Sequence, residues 1–181
     1  PRGHALDERA VARGVARVLV CGQVLAPVGD DLVERPRRSC PRARPEQGAI
    51  DIIDQTRLPH ALHWLRITTL EAVAHAIRSM QVRGAPLIGA TAACGLAIAL
   101  ADDASDTRLA EAAALLRSTR PTAVNLHWAL ARMQAVLQPL PPGDRAAAAW
   151  AEAAAIANED VAQNMAIGEH GLRLWRGQLV P

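Results

Sequence analysis

The spacing of hydrophobic positions predicts a short antiparallel sheet near the middle of the chain. Apolar and polar residues alternate in "AIDIIDQTRLP" and in "ALHWLRI", on either side of an "RLPH" break within residues 49–67. Alternation at a period of two indicates strands that bury one face. The two segments are therefore predicted to be two short strands of an antiparallel sheet.

Helical spacing follows the predicted sheet. The first helix, over about 69–81, begins at a capping box formed by Thr68 and Glu71. Its apolar face consists of residues one turn apart, namely Leu70, Val73, Ile77 and Met80. Further helices are predicted from Pro86, over about 106–117, from near Ala123, and after "LPPGD" with Asp144 as the cap. The expected fold is α+β and helix-dominated, with a small antiparallel sheet and about five helices.

Composition supports one core-bearing domain with an appendage. Half of the 181 residues are apolar, but there is no Phe or Tyr, so Ala, Leu, Val and Ile must fill a core of packed helices. Residues 1–47 have weak periodicity and are rich in Arg and Pro at 35–45. We interpret 1–47 as an appendage or linker and 48–181 as the ordered domain.

Charge and apolar run lengths argue against nucleic acid and membrane partners. The net charge is +2, and the arginines between Arg35 and Arg44 have no interleaved aromatic residue for base stacking. The most apolar stretch, Leu87 to Ala101, is shorter than the roughly 20 residues of a membrane helix. Because Cys21, Cys40 and Cys94 show no CxxC spacing and no signal peptide is apparent, we expect a cytoplasmic protein.

Two predicted helix starts have the residues that suit an anion. In "VRGAP", Arg83 precedes Gly84, which permits close approach to the backbone, and Pro86 suits the first turn of a helix. Free N–H groups at the helix start and a guanidinium group could then hold a phosphate. A tight turn with the arginine packed on a carboxylate fits the spacing equally well.

The second such start is "RPTAVNL". Arg120 precedes a proline, Thr122 is placed to cap the helix, and an apolar stripe follows at Leu126, Leu130, Met133 and Leu137. Two helix starts of this kind favour a phosphorylated small molecule as the ligand.

Other candidate residues have simpler structural interpretations. Asp51 and Asp54 are three apart in a strand and so point to opposite faces, which excludes a carboxylate pair. His60 and His63 lack a third ligand at zinc spacing, so no metal site is predicted. Cys94 lies in an apolar run and is interpreted as a core residue.

Four ordered motifs, "IDQTRLP", "VRGAPLIGA", "RPTAVNL" and "NMAIGEHG", resemble the N-terminal part of bacterial methylthioribose-1-phosphate isomerases over about residues 48–175. The resemblance implies an aldose–ketose isomerase of methionine salvage, acting on 5-methylthioribose 1-phosphate without metal or cofactor. It implies substrate contacts at Arg83, Gly84, Ala85 and Arg120, and a homodimer. His170 matches the family pattern, but no role is assigned to it.

The resemblance also places the family's catalytic cysteine and aspartate beyond Pro181. We therefore expect an N-terminal fragment, corresponding to the smaller lobe that covers a Rossmann-like lobe in the family, and we expect this fragment to be inactive by itself. Ribose-1,5-bisphosphate isomerase remains an alternative. A non-catalytic regulatory protein related to the translation-initiation exchange-factor subunits is another, although the two intact arginines favour an enzyme.

Overall fold

The computed structural model describes residues 41–178. Most of the predicted appendage, including Cys21 and Cys40, lies outside these residues. The described residues begin with three strands, β1 (Arg42–Arg44), β2 (Ala49–Ile53) and β3 (Trp64–Ile67). They form one antiparallel sheet in the order β1-β2-β3. The predicted strands correspond to β2 and β3.

Strand β1 lies before residue 48, in the region that the sequence assigns to an appendage. Arg42 is paired across the sheet with Asp51, and Asp51 with Arg66. Arg44 Nε donates a 2.6 Å hydrogen bond to Asp51, so a carboxylate in the central strand pairs with an arginine of the edge strand. The Arg- and Pro-rich composition of residues 35–45 predicts an appendage here, since the carboxylate that pairs with Arg44 comes later in the chain.

Five helices follow, as predicted. They are α1 (Leu70–Arg78), α2 (Ala85–Ala99), α3 (Asp106–Thr119), α4 (Val124–Leu137) and α5 (Pro142–Gln178). Helix α2 lies at the centre and packs against the other four helices. Every residue from Leu87 to Ala99 is buried, including Cys94, which is the core residue that was predicted.

Helix α1 differs from its prediction at both ends. Thr69, not Thr68, is the N-cap, and its side chain accepts a hydrogen bond from Ala72 N at 3.2 Å. Helix α1 ends at Arg78, and Met80 adopts a positive φ of 63° and is 45% exposed. Met80 is therefore not part of the apolar face, because the chain has already turned away from the helix.

Two other predicted caps are also wrong. Helix α4 has Ala123 at its N-cap with no side-chain hydrogen bond, so Thr122 does not cap it. Helix α5 begins at Pro142, which suits the first position because it has no N–H to leave unpaired. Asp144 then lies inside the first turn, where its charge interacts favourably with the helix dipole.

Candidate functional site

The segment that precedes helix α2 is fixed to the end of strand β2 by Gln55. The backbone N–H of Gln55 donates to Gln81 O, and its side-chain Nε2 donates to Arg83 O, both at 3.0 Å. Gln55 is itself buried. The "DQT" and "VRGAP" motifs, far apart in sequence, therefore form one rigid unit that positions the start of α2.

Gly84 is the N-cap of α2 and requires the conformational freedom of glycine. Its φ is 99° and its ψ is 129°, a region that residues with a Cβ rarely adopt. Pro86 is in the first turn, and the first intrahelical bond runs from Ile88 N to Gly84 O at 3.0 Å. The N–H groups of Ala85 and Leu87 consequently have no acceptor within the helix.

The starts of α2 and α4 differ from those of α1 and α3. The side chains of Thr69 and Ser105 cap α1 and α3, and each first turn also has an acidic residue, Glu71 or Asp106. Neither α2 nor α4 has a side-chain cap or an acidic residue in its first turn. No residue in their own first turns therefore compensates their partial positive charges, an arrangement that suits an anion.

These two starts open onto the same groove, which has a volume of about 360 Å³. It is lined by Pro86 and Gly89 of α2, by Val124, Asn125 and Trp128 of α4, and by Ile156, Glu159, Asp160 and Gln163 of α5. The sequence indicated each helix start separately. It did not indicate that they share one groove, or that α5 forms the third wall.

Both predicted arginines precede the uncapped helices but do not line the groove. Arg83 is exposed, and Arg120 is half-buried directly after Thr119, the last residue of α3. Within residues 41–174, neither guanidinium group forms an ion pair with a carboxylate. The tight-turn alternative, with Arg83 packed on a carboxylate, therefore does not describe this structure.

An ion cluster fixes the α5 wall of the groove. Arg132 binds Glu152 through Nε and holds both carboxylate oxygens of Glu159, and it lies 5.5 Å from the Trp128 ring centre. The hydrogen bonds from Arg132 lower the pKa of Glu159, and those to Glu159 and Glu152 raise the pKa of Arg132. Arg132 and Glu159 are therefore both charged near neutral pH.

Comparison with known proteins identifies the family. Residues 81–179, more than half of the chain, match the Initiation factor 2 subunit family. The chain belongs to this family. The matched residues include all of α2, α3 and α4, and thus both uncapped helix starts.

Curated relatives within the family include isomerases. The methylthioribose-1-phosphate isomerase of Dechloromonas aromatica is 75% identical over 139 residues, which cover 77% of this chain and 38% of that protein. An uncharacterized protein in the petC 3′ region of Rhodospirillum rubrum is 59% identical over 137 residues, 76% of this chain and 74% of that protein. The chain spans about two-fifths of the length of the isomerases that it matches.

Solved structures from two branches of the family share the fold. The 5-methylthioribose 1-phosphate isomerase of Pyrococcus horikoshii superposes with a TM-score of 0.58 and 36% identity, covering 62% of this chain and 34% of that one. Subunit delta of translation initiation factor eIF-2B from A. fulgidus superposes with a TM-score of 0.57 and 34% identity, covering 64% of this chain and 37% of that one. The fold is therefore common to an enzyme and a translation factor.

The other candidate residues are not brought together. Asp51 and Asp54 have separate hydrogen-bond partners, which agrees with the prediction that they form no pair. His60, His63 and His170 are exposed. Over the described part of the chain, no group of three or more His, Cys, Asp or Glu side chains could hold a metal, and no helix has the length and apolar character needed to cross a membrane.

Proposed function

We propose that this chain forms the substrate-binding N-terminal part of an isomerase that converts 5-methylthioribose 1-phosphate to 5-methylthioribulose 1-phosphate in methionine salvage. The observation that carries the proposal is the pair of uncapped helix starts on one groove, each preceded by an arginine. The 75% identity to a protein named as this isomerase supports the choice of substrate. The proposal includes a cytoplasmic homodimer without a metal or nucleotide cofactor.

In this proposal the phosphate is bound by backbone and guanidinium groups together. The N–H groups of Ala85 and Leu87 donate to its oxygens, Gly84 permits close approach, and Arg83 and Arg120 supply charge. Guanidinium groups stay protonated and cannot accept a proton, so these arginines orient the sugar and do not perform acid–base steps. In the family that the chain resembles, hydrogen moves between carbons 1 and 2 of the sugar after ring opening. The resemblance assigns this step to a cysteine and an aspartate in the part of the relatives that this chain does not cover.

A regulatory role in translation initiation is the competing proposal, since the eIF-2B subunit has nearly the same TM-score. A protein that acts only through protein contacts has no need of two helix starts left open to an anion. Phosphate binding therefore distinguishes the two proposals.

The test is calorimetric titration of 5-methylthioribose 1-phosphate and of inorganic phosphate into the 181-residue chain and its variants. We expect Arg83→Ala and Arg120→Ala each to weaken binding of both ligands by roughly 10- to 100-fold, because each removes a charge-assisted hydrogen bond. Arg78→Ala is the matched control, since Arg78 is also exposed but lies at the end of α1. Binding that is absent, or that neither variant changes, contradicts the proposed function.

A further inference from the structure

The peptide group between Arg83 and Gly84 is held by a side chain, whereas the chain on either side of it is held by backbone hydrogen bonds. Before it, Val82 N donates to Ala76 O at 3.1 Å, and after it, Gly84 O accepts the first bond of α2. Between these points, Arg83 O accepts a 3.0 Å hydrogen bond from Nε2 of the buried Gln55. The orientation of this one peptide plane therefore depends on Gln55.

The orientation that Gln55 holds is the one that needs a glycine. Gly84 has a φ of 99° and a ψ of 129°. Rotating the peptide plane by about half a turn changes ψ of Arg83 and φ of Gly84, and it would bring φ into the negative range that is usual for an N-cap residue. Glycine permits both orientations. The hydrogen bond from Gln55 therefore selects the one with positive φ.

This choice determines which backbone group faces the solvent before α2. The C=O and N–H of a trans peptide point in opposite directions, so the Gly84 N–H points away from Gln55. Gly84 and Ala85 are exposed, and within the part of the chain that the structure describes the Gly84 N–H has no hydrogen-bond acceptor. Together with the N–H groups of Ala85 and Leu87 it makes three donors, as in backbone concavities that bind anions. The reversed plane would present Arg83 O instead, which repels an anion.

We propose that Gln55 is a positioning residue of the anion site, because it keeps the Gly84 N–H directed towards the phosphate. The inference rests on the proposed function, which assigns the phosphate to the start of α2. Gln55 is buried on the other side of the peptide plane, so it acts on the phosphate through Gly84 and not by contact.

The experiment titrates inorganic phosphate into the isotopically labelled chain and follows the backbone amides by NMR. Binding should move the Gly84 amide proton downfield. Gln55→Met keeps the length of the side chain but removes the donor, so it should abolish this shift and raise the Kd by ~10-fold or more, through loss of a hydrogen bond to a charged group. Gln134→Met is the matched control, because Gln134 is also hydrogen-bonded through its side chain, to Arg117, but lies near the end of α4. It should change neither the shift nor the Kd.

A stability measurement tests the peptide plane without a ligand. In the unaltered chain, Gly84→Ala should lower the urea midpoint, because alanine disfavours a φ of 99°. In the Gln55→Met background the plane can turn, so Gly84→Ala should lower the midpoint by less than half as much. An equal loss in both backgrounds overturns the inference, and so does a Gln55→Met chain that binds phosphate as tightly as the unaltered chain. Absence of phosphate binding by the unaltered chain contradicts the proposed function as well.

Discussion

Asp51 and Asp54 lie three residues apart in the sequence but have different structural roles. Asp51 accepts hydrogen bonds from Arg44 Nε at 2.6 Å and Arg66 Nε at 2.9 Å, which joins all three strands. Asp54 Oδ1 accepts from Thr56 N at 3.0 Å and from its hydroxyl at 2.6 Å, which fixes the turn that presents Gln55. One aspartate stabilises the sheet, and the other holds the residue that positions the start of α2.

The charge of Asp51 should stabilise the fold in a pH-dependent way. The hydrogen bond from Arg66, with a further contribution from Arg44, holds the pKa of Asp51 below its usual value of 3.8. Because the folded-state pKa is the lower one, this stability is present above about pH 3.8 and is lost as the pH falls through the folded-state value. Asp51→Asn should therefore lower the free energy of unfolding by about 2 kcal/mol at neutral pH.

Urea titrations of the Asp51→Asn variant at several pH values measure this effect. The difference from the unaltered chain should shrink below about pH 3.8, where the carboxylate that it removes becomes protonated. Asp102→Asn, at an exposed aspartate, should show no such difference. A difference that stays constant into strong acid contradicts the assignment.

At the level of secondary-structure elements, the close approach of α2 and α4 determines the geometry of the groove. A Cβ on Gly89 would lie 2.9 Å from the backbone oxygen of Asn125, and the backbone cannot easily move away. Gly89→Ala should therefore separate the two helices, lower the free energy of unfolding by about 1–3 kcal/mol, and weaken phosphate binding.

A second glycine in a helix provides the control. Gly168→Ala in α5 places a Cβ where no other atom lies within 4 Å. Because alanine has a higher helix propensity than glycine, this variant should raise the free energy of unfolding by about 0.5–1 kcal/mol. Thermal melts and phosphate titrations of the two variants measure both effects. Equal stability of the two variants would show that α2 and α4 do not meet at Gly89.

The elements that could be predicted are those with a local signal. Strands β2 and β3 and the five helices follow from periodicity, which depends only on neighbouring residues. Strand β1 could not be predicted, because the carboxylate that pairs with Arg44 is Asp51, from the next strand. The cap of α1 was misplaced by one residue because adjacent threonines are equally suited, and the exit of the chain from β3 at Ile67 decides between them.

The same distinction applies to the candidate site. Arg83 and Arg120 could be proposed because glycine and proline mark helix starts locally, and their substrate contacts remain a prediction. The apolar stripe of α4 does not indicate that Trp128 is half exposed in the groove. The spacing of Trp128 and Arg132, one helical turn apart, was the available signal, but the facing Glu159 depends on the packing of α5.

At the level of the whole molecule, the central helix explains why the candidate site lies at helix starts. Helix α2 is buried on all sides from Leu87 to Ala99 by the four surrounding helices. It therefore has no polar side-chain face to present to a ligand. What it exposes is its N-terminal turn, from Gly84 to Pro86, where its dipole and free N–H groups are directed outward.

Helices α3, α4 and α5 are joined by Arg145 of α5, which is 3% exposed. Its guanidinium donates to the backbone oxygens of Leu137 (3.0 Å), Leu140 (2.9 Å), Gln138 (3.3 Å) and Ala104 (2.8 Å), and it forms a 2.6 Å ion pair with Asp106. These partners belong to the end of α4, the loop that follows it, and the start of α3. One α5 side chain thus donates to carbonyl groups at the end of α4, in the loop that follows it, and just before α3.

Arg145→Ala should therefore destabilise the whole bundle and not α5 alone. We expect the free energy of unfolding to fall by about 3 kcal/mol, because several buried carbonyl groups lose their donor at once. Arg145→Lys should recover only part of this, since one ammonium group cannot match the planar arrangement of donors. Urea unfolding followed by circular dichroism measures the change, and Arg173→Ala, at an exposed position on α5, is the control and should stay within about 0.5 kcal/mol. If Arg145→Ala costs no more than this control, the carbonyl groups have other donors, and the joining of α3, α4 and α5 must depend on apolar packing alone.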